Sequence, residues 1–377
     1  MIRSIVGFVW VFLALTACSS PPDAIFGVDN PATPAATTKG ATKHTIYIAT
    51  TRAKADDPEV LFTGERKPLS LNFAKVDVYV PPNHKVGYVE RPSSVPPDPK
   101  NDFVILEPEI FADKTPFKAS LNRDLKTRSR DQREVLLFVH GYNTDLVDAV
   151  LRIAQFKHDS GFTGIPVLFT WASRGKTLDY VYDLNSALHA RDDLLTTADV
   201  VASTGSSGLN IVAHSMGNLL TVEAMRQDQL LGSFNSSGKI RTIVLASADI
   251  DADVFVKQLQ PFPKTARKFY VLISENDKAL AFSRRIAGGI DRVGDESGDE
   301  LVKLGVKVID LSKVDDTSSL NHSKFADSPE IVQLIGRRMN EGDSFVSPPA
   351  RSVLQNLPNA ARVLVQPSGT GGILVFQ

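Results

Sequence analysis

An apolar run from Leu209 to Ala213 meets a sharp turn at Ser215, and Leu219, Leu220 and Met225 follow at helical spacing. Strand, tight turn and helix in that order are the arrangement of a nucleophile elbow. A serine hydroxyl becomes a useful nucleophile only beside a base, and the turn lifts its side chain clear of the sheet so that a base can reach it. Small residues must flank such a turn because backbone passes close to backbone there. Ala213 and Gly217 fill that role, so the local pattern is A-x-S-x-G.

Chain order selects the base. In folds that carry this elbow the acid and then the histidine follow the serine. Of His44, His84, His140, His158, His189, His214 and His322, only His322 lies downstream of Ser215. His214 adjoins the nucleophile, but the turn directs it away from the hydroxyl. Ser328 and Pro329 give the cap and first-turn signals of a helix just after His322, which puts the histidine in a loop before a C-terminal helix.

The acid is read from position. Lys268 to Ile273 is a predicted strand, and Ser274-Glu275-Asn276-Asp277 is the loop at its carboxyl end, where ligands meet an open α/β sheet. Asp277 is the preferred partner for His322. Asp249 and Asp251, which follow the strand Ile240 to Ala246, and Glu275 remain alternatives on geometric grounds. Asp249 and Asp251 also suit capping of a helix through Val254-Phe255-Val256. With Asp253 they imitate a calcium loop, but its glycine and final glutamate are missing. Neither a metal nor a cofactor is expected.

A second turn matches the elbow. Val135-Leu136-Leu137-Phe138-Val139 is a continuous apolar strand, as expected where both faces of a parallel sheet are covered, and it runs into His140-Gly141-Tyr142-Asn143. The backbone N–H groups of Tyr142 and Met216 are the candidate oxyanion hole. His140 precedes the serine and is assigned to bracing the loop. Trp171, at the carboxyl end of the predicted strand Pro166 to Trp171, either lines an acyl pocket or packs in the core.

The N-terminus has a different character. Arg3 precedes an apolar run from Ile5 to Leu15, too short to span a bilayer comfortably and of the length of a signal-peptide core. It ends in Leu15-Thr16-Ala17-Cys18, which resembles a bacterial lipobox, cut before a cysteine that then carries lipid. Cys18 is the only cysteine, so no internal disulfide can form. Ser19 and Ser20 follow rather than aspartate, and the expected location is the outer membrane, facing the periplasm. The domain division is a signal peptide over 1–17, a flexible Pro-, Ala-, Thr- and Gly-rich tether over 18–43, one folded domain over 44–341 and a disordered tail over 342–377. With 42 basic against 43 acidic residues, the overall charge balance gives no footprint for nucleic acid or for an anionic membrane.

Within the domain, strands are read at Ile46 to Thr50, Val76 to Val80 and Phe103 to Leu106, and from Val135 onward strands alternate with helices. Leu146 to Ala154 forms one helical face, Leu184 to Leu195 belongs to another helix, and Val306 to Ile309 is the last strand. The expected fold class is α/β, with a mostly parallel, doubly wound sheet.

With these residues in place the chain resembles a bacterial α/β-hydrolase family of unknown function. The matching stretches are Ile46 to Arg52, Phe138 to Asn143, Trp171 to Gly175, Ala213 to Asn218, Asp249 to Phe255 and Ser274 to Leu280, over a region from about His44 to Met339. The resemblance implies the α/β-hydrolase fold and a Ser-Asp-His hydrolase, and fixes no substrate. The sequence departs from the pattern in lacking a glycine just before His322. Three functions are consistent with these features: a lipid-anchored serine esterase or lipase acting on a small-molecule or lipid ester through an acyl-enzyme, an amidase or peptidase with the same triad, and a non-catalytic lipoprotein that binds an envelope partner.

Overall fold

The apolar strands are continuous because helices cover both of their faces. Along Glu134–Val139, the side chains of Val135, Leu137 and Val139 enter one core and those of Leu136 and Phe138 the other. Alternation of side chains across a strand demands this when neither face meets water. The computed structural model describes residues 21–67, 69–264, 267–314 and 320–341 and the strands at 362–365 and 374–376.

Chain order begins with β1 (Thr42–Thr50), the hairpin β2 (Arg52–Lys54) and β3 (Phe62–Arg66), β4 (Asn72–Val80) and β5 (Val104–Phe111). Then come α1 (Lys114–Lys126), β6 (Glu134–Val139), α2 (Leu146–Asp159), β7 (Ile165–Thr170), α3 (Tyr180–His189), α4 (Arg191–Ala202), β8 (Gly208–His214) and α5 (Met216–Leu230). The remainder is β9 (Ile240–Ala246), α6 (Ala252–Leu259), β10 (Phe269–Ile273), α7 (Lys278–Ile286), α8 (Gly298–Lys303), β11 (Lys307–Asp310), α9 (Lys324–Asp327), α10 (Pro329–Glu341), β12 (Arg362–Val365) and β13 (Leu374–Phe376).

Among the described residues the main sheet has 11 strands in the order β13-β12-β11-β10-β9-β8-β6-β7-β1-β4-β5. Pairing is parallel from β11 through to β1 and antiparallel at both flanks. Phe117 of α1, Leu194 of α4, Leu220 of α5, Phe255 of α6 and Leu301 of α8 fill one core; Val150 of α2, Phe325 of α9 and Leu334 of α10 fill the other. This is the expected doubly wound α/β arrangement. It brings the loops after β6, β7, β8, β9 and β10 to the carboxyl edge of the sheet.

Three sequence expectations need correction. Residues 21–43 are no flexible tether. Ile25 and Phe26 are buried, the Phe26 N–H donates to Glu59 O at 2.9 Å and the Gly27 N–H to Ile105 O at 2.8 Å. The average composition of that segment hid two large side chains that seat it on the domain. Within the expected disordered tail, β12 and β13 are strands that pair outward from β11, whose edge otherwise exposes unpaired backbone groups. The expected helix over Leu184 to Leu195 is broken into α3 and α4 at Ala190, whose methyl is fully buried, and the turn keeps Ala187 and Leu194 on the same core. The signal segment and Cys18 lie outside the described residues, as do 342–361 and 366–373.

Candidate active site

Ser215 sits between β8 and α5 with φ 53° and ψ −125°, a backbone state that non-glycine residues rarely adopt. Its surroundings over-determine that strain. The Ser215 N–H donates to Ala246 O at 3.0 Å. Its carbonyl accepts from the Asp249 N–H at 3.3 Å, the Asn218 N–H at 3.0 Å and Asn218 Nδ2 at 2.9 Å. Asn218 Nδ2 also donates to Ala246 O at 2.8 Å, so one fully buried amide ties the elbow to the neighbouring strand. A Cβ on Gly217 would stand 2.3 Å from His140 O, which explains why a glycine stands two residues after Ser215.

His322 and Asp277 come together. His322 Nδ1 lies 2.7 Å from Asp277 Oδ2. A carboxylate only accepts, so Nδ1 carries the proton and Nε2 presents a lone pair. The other oxygen, Asp277 Oδ1, caps α7 by accepting from the N–H groups of Ala279 and Leu280, both at 3.0 Å. The position of the histidine is set by its carbonyl, which accepts from Ser247 Oγ at 2.8 Å and His214 Nε2 at 3.1 Å. Asn321, at φ 57°, takes the left-handed turn for which a glycine was expected; asparagine tolerates that region. Among the described residues no hydrogen bond joins the Ser215 hydroxyl to His322, as is common before substrate tightens such a site.

The alternative acids are engaged elsewhere. Asp249 accepts from Ser283 Oγ at 2.6 Å and pairs with Arg292 Nε at 3.3 Å. Asp251 caps α6 through the N–H groups of Asp253 and Val254. Glu275 is exposed, with its N–H on Ser312 Oγ at 3.0 Å.

The loop after β6 packs on the elbow so closely that a Cβ on Gly141 would lie 2.7 Å from Ser215 Cβ. His140 orients this loop. Its Nδ1 donates to Gly141 O at 2.8 Å, and its Nε2 accepts from Thr170 Oγ1 at 2.9 Å. The Gly141 carbonyl is thereby drawn toward His140, and in a trans peptide the Tyr142 N–H points the opposite way. Met216 is the first residue of α5, where a helix has no internal acceptor for its N–H. Burial holds the His140 imidazole neutral, pushing its pKa down to about 3, and drives that of His214 well below the usual histidine range. Both serve as braces.

Trp171 is fully buried, stacks on His140 at 4.9 Å and donates from Nε1 to His140 O at 2.9 Å. It faces no space that a water could enter, so the acyl-pocket alternative is corrected to core packing. Sequence reasoning missed Arg52 as a brace. Its fully buried guanidinium donates to Thr170 Oγ1 at 2.8 Å, Ser173 O at 2.6 Å and Thr144 O at 2.8 Å, linking the loops after β6 and β7. The only signal was its place at the end of the first matching stretch.

Among the described residues, His84, His158 and Asp159 form the group whose spacing could hold a metal ion. His84 is bonded through Nδ1 to Glu90 at 2.7 Å and through Nε2 to Asp159 at 2.8 Å. Burial opposes its charge, but the two carboxylates prevail and raise its pKa to about 9, so both ring nitrogens are occupied by protons. This group lies at the far end of α2, away from Ser215, Asp277 and His322. An apolar cavity lined by Leu194, Ala198, Met225 and Phe234 is likewise separate from it.

The sequence pattern of the α/β hydrolases of unknown function (DUF900) matches residues 113–338, a span that contains the elbow, the Gly141 loop, Asp277 and His322. The chain belongs to this family. No curated protein matches it in sequence. Among solved structures, a Pyrobaculum calidifontis esterase in a monoclinic form is similar at TM-score 0.35 and 12% identity, over 57% of this chain and 78% of that one. The hyperthermophilic esterase from the archaeon Pyrobaculum calidifontis is similar at TM-score 0.39 and 11% identity, over 80% and 83% of the two chains.

Proposed function

We propose that this α/β hydrolase is a lipid-anchored serine esterase that works through an acyl-enzyme. The observation that carries the reading is the His322–Asp277 pair at 2.7 Å beside a strained Ser215 elbow. Ser215 Oγ attacks the ester carbonyl while His322 Nε2 takes its proton. Asp277 holds the imidazole in the Nδ1–H tautomer and stabilises the imidazolium. The Tyr142 and Met216 N–H groups receive the oxyanion. His322 returns the proton to the departing alkoxide, and a water deprotonated by the same histidine hydrolyses the acyl-serine. Asp277 is the acid of choice over Asp249, Asp251 and Glu275 because it alone of the four accepts from His322.

Cys18 carries the lipid, and the enzyme faces the periplasm from the outer membrane. Labelling with a fluorophosphonate probe tests the reading without knowledge of the substrate: wild type takes label and Ser215→Ala does not. Equal labelling of both would refute it. Paired ester and amide substrates then separate an esterase from an amidase with the same triad.

A further inference from the structure

The short chain between Cys18 and the fold has a geometric consequence that rests on the lipid-anchor reading. Pro22 O accepts from Arg91 Nη2 at 3.2 Å, and the same guanidinium pairs with Asp23 at 2.7 Å and Asp145 at 2.8 Å. Asp145 caps α2 directly after the Gly141–Tyr142 loop. The chain therefore enters the fold at the carboxyl edge of the sheet, where the triad lies. Four residues from Cys18 to Pro22 span at most about 14 Å when fully extended. A lipid on Cys18 would hold this edge, rather than the opposite one, beside the bilayer.

The surface there is built for such a neighbour. Between Asp277 and Val293 the chain leaves the sheet edge as α7 and returns, with the Gly294 N–H on Ala248 O at 3.0 Å and Gly294 O accepting from the Ser274 N–H at 2.9 Å. The helix buries Leu280 and Ser283 and turns Lys278, Phe282, Arg285 and Ile286 outward, a stripe at helical spacing with Phe282 51% and Ile286 49% exposed. The water-facing stripe of an amphipathic helix is ordinarily dominated by charged and polar residues. Apolar and basic residues together suit the boundary between headgroups and acyl chains. Leu178, 97% exposed, lies in the loop to which Tyr142 Oη donates, at Thr177 O, and two residues before Tyr180, whose hydroxyl is 3.2 Å from Ser283 Oγ of α7. Leu320, 52% exposed, stands two residues before His322.

We propose that the outer stripe of α7, with Leu178 and Leu320, docks on the bilayer surface and presents the Ser215 site to lipid-borne esters. Because Asp277 caps α7 through the N–H groups of Ala279 and Leu280, the docking helix and the acid of the triad are tied to one another.

The test uses the mature lipidated protein, in which the only native cysteine is blocked by its thioether. Phe282→Cys and, at the opposite edge, Leu231→Cys each supply one thiol for an environment-sensitive fluorophore. The proteins are reconstituted in phosphatidylethanolamine–phosphatidylglycerol vesicles containing nitroxide-labelled phosphatidylcholine. A fluorophore at 282 loses most of its emission, whereas one at 231 keeps it. Equal quenching at both sites, or none at 282, overturns the docking surface. Two reactive thiols per chain would overturn the anchor and this inference with it. Fluorophosphonate incorporation at Ser215, measured on the same samples, reports the hydrolase reading independently of either outcome.

Discussion

Replacing Asp277 by asparagine separates the two tasks of this side chain. Oδ1 accepts from two helix N–H groups, at 3.0 Å each, and Oδ2 accepts from His322 Nδ1 at 2.7 Å. An asparagine keeps its oxygen on the cap, because the amide NH₂ cannot face two N–H donors. Asparagine caps helices about as well as aspartate, so α7 loses little. The NH₂ then faces His322 and donates to Nδ1. The imidazole must move its proton to Nε2, the nitrogen that has to receive the proton of Ser215. The same exchange in serine proteases lowers turnover by about 10⁴, or about 5 kcal/mol of transition-state stabilisation. Flipping the amide would restore the tautomer only by turning the NH₂ onto both cap N–H groups, which breaks two hydrogen bonds and sets donor against donor. The expected outcome is a loss near 10⁴ in the hydrolysis of a soluble chromogenic ester, with thermal unfolding close to wild type. Asp277→Ala should lose both activity and about 1 kcal/mol of stability. Asp251→Asn, which keeps its own cap, should stay active. A folded Asp277→Asn protein within tenfold of the wild-type rate would refute the assignment, and an inactive, folded Asp249→Asn would move the acid to the loop after β9.

Gly141→Val places a Cβ 2.7 Å from Ser215 Cβ and must push the two turns apart; displacing one oxyanion donor costs about 3 kcal/mol, so kcat should fall at least about 10²-fold, and full turnover in a folded variant would locate the oxyanion hole elsewhere. His84 has a folded pKa raised to about 9, so its contribution to stability is fully present below the unfolded value near 6.5 and is lost as pH rises through about 9. Urea unfolding of His84→Gln should therefore show a deficit that is largest at pH 6 and shrinks toward pH 9.5; a pH-independent deficit would contradict the ion pairs. Cys18→Ser should take no fatty-acid label and should leave the membrane fraction; retained label would disprove lipidation.

Local order in the chain determined the elbow, the choice of His322 by elimination and the identity of the sheet's central strands. Each of these depends on neighbours in sequence: a strand buried on both faces must be apolar throughout, and a turn crossed by another backbone must carry small residues. Asp277 was legible as a preference, since it ends the loop at the carboxyl end of a predicted strand. Distinguishing it from Asp249 required the tertiary structure, because both are buried carboxylates at strand ends and only their partners differ: a histidine for one, Arg292 and Ser283 for the other. Trp171 was equally ambiguous until His140 was found stacked on it. The brace formed by Arg52, Thr170 and His140 joins residues up to 118 positions apart, and no periodicity marks such a link. Composition misled at both ends, where Ile25 and Phe26 dock a Pro-rich segment and β12 and β13 extend the sheet. Burial of a few side chains and pairing at an exposed edge depend on what the rest of the chain presents, which a windowed reading of residue types does not contain.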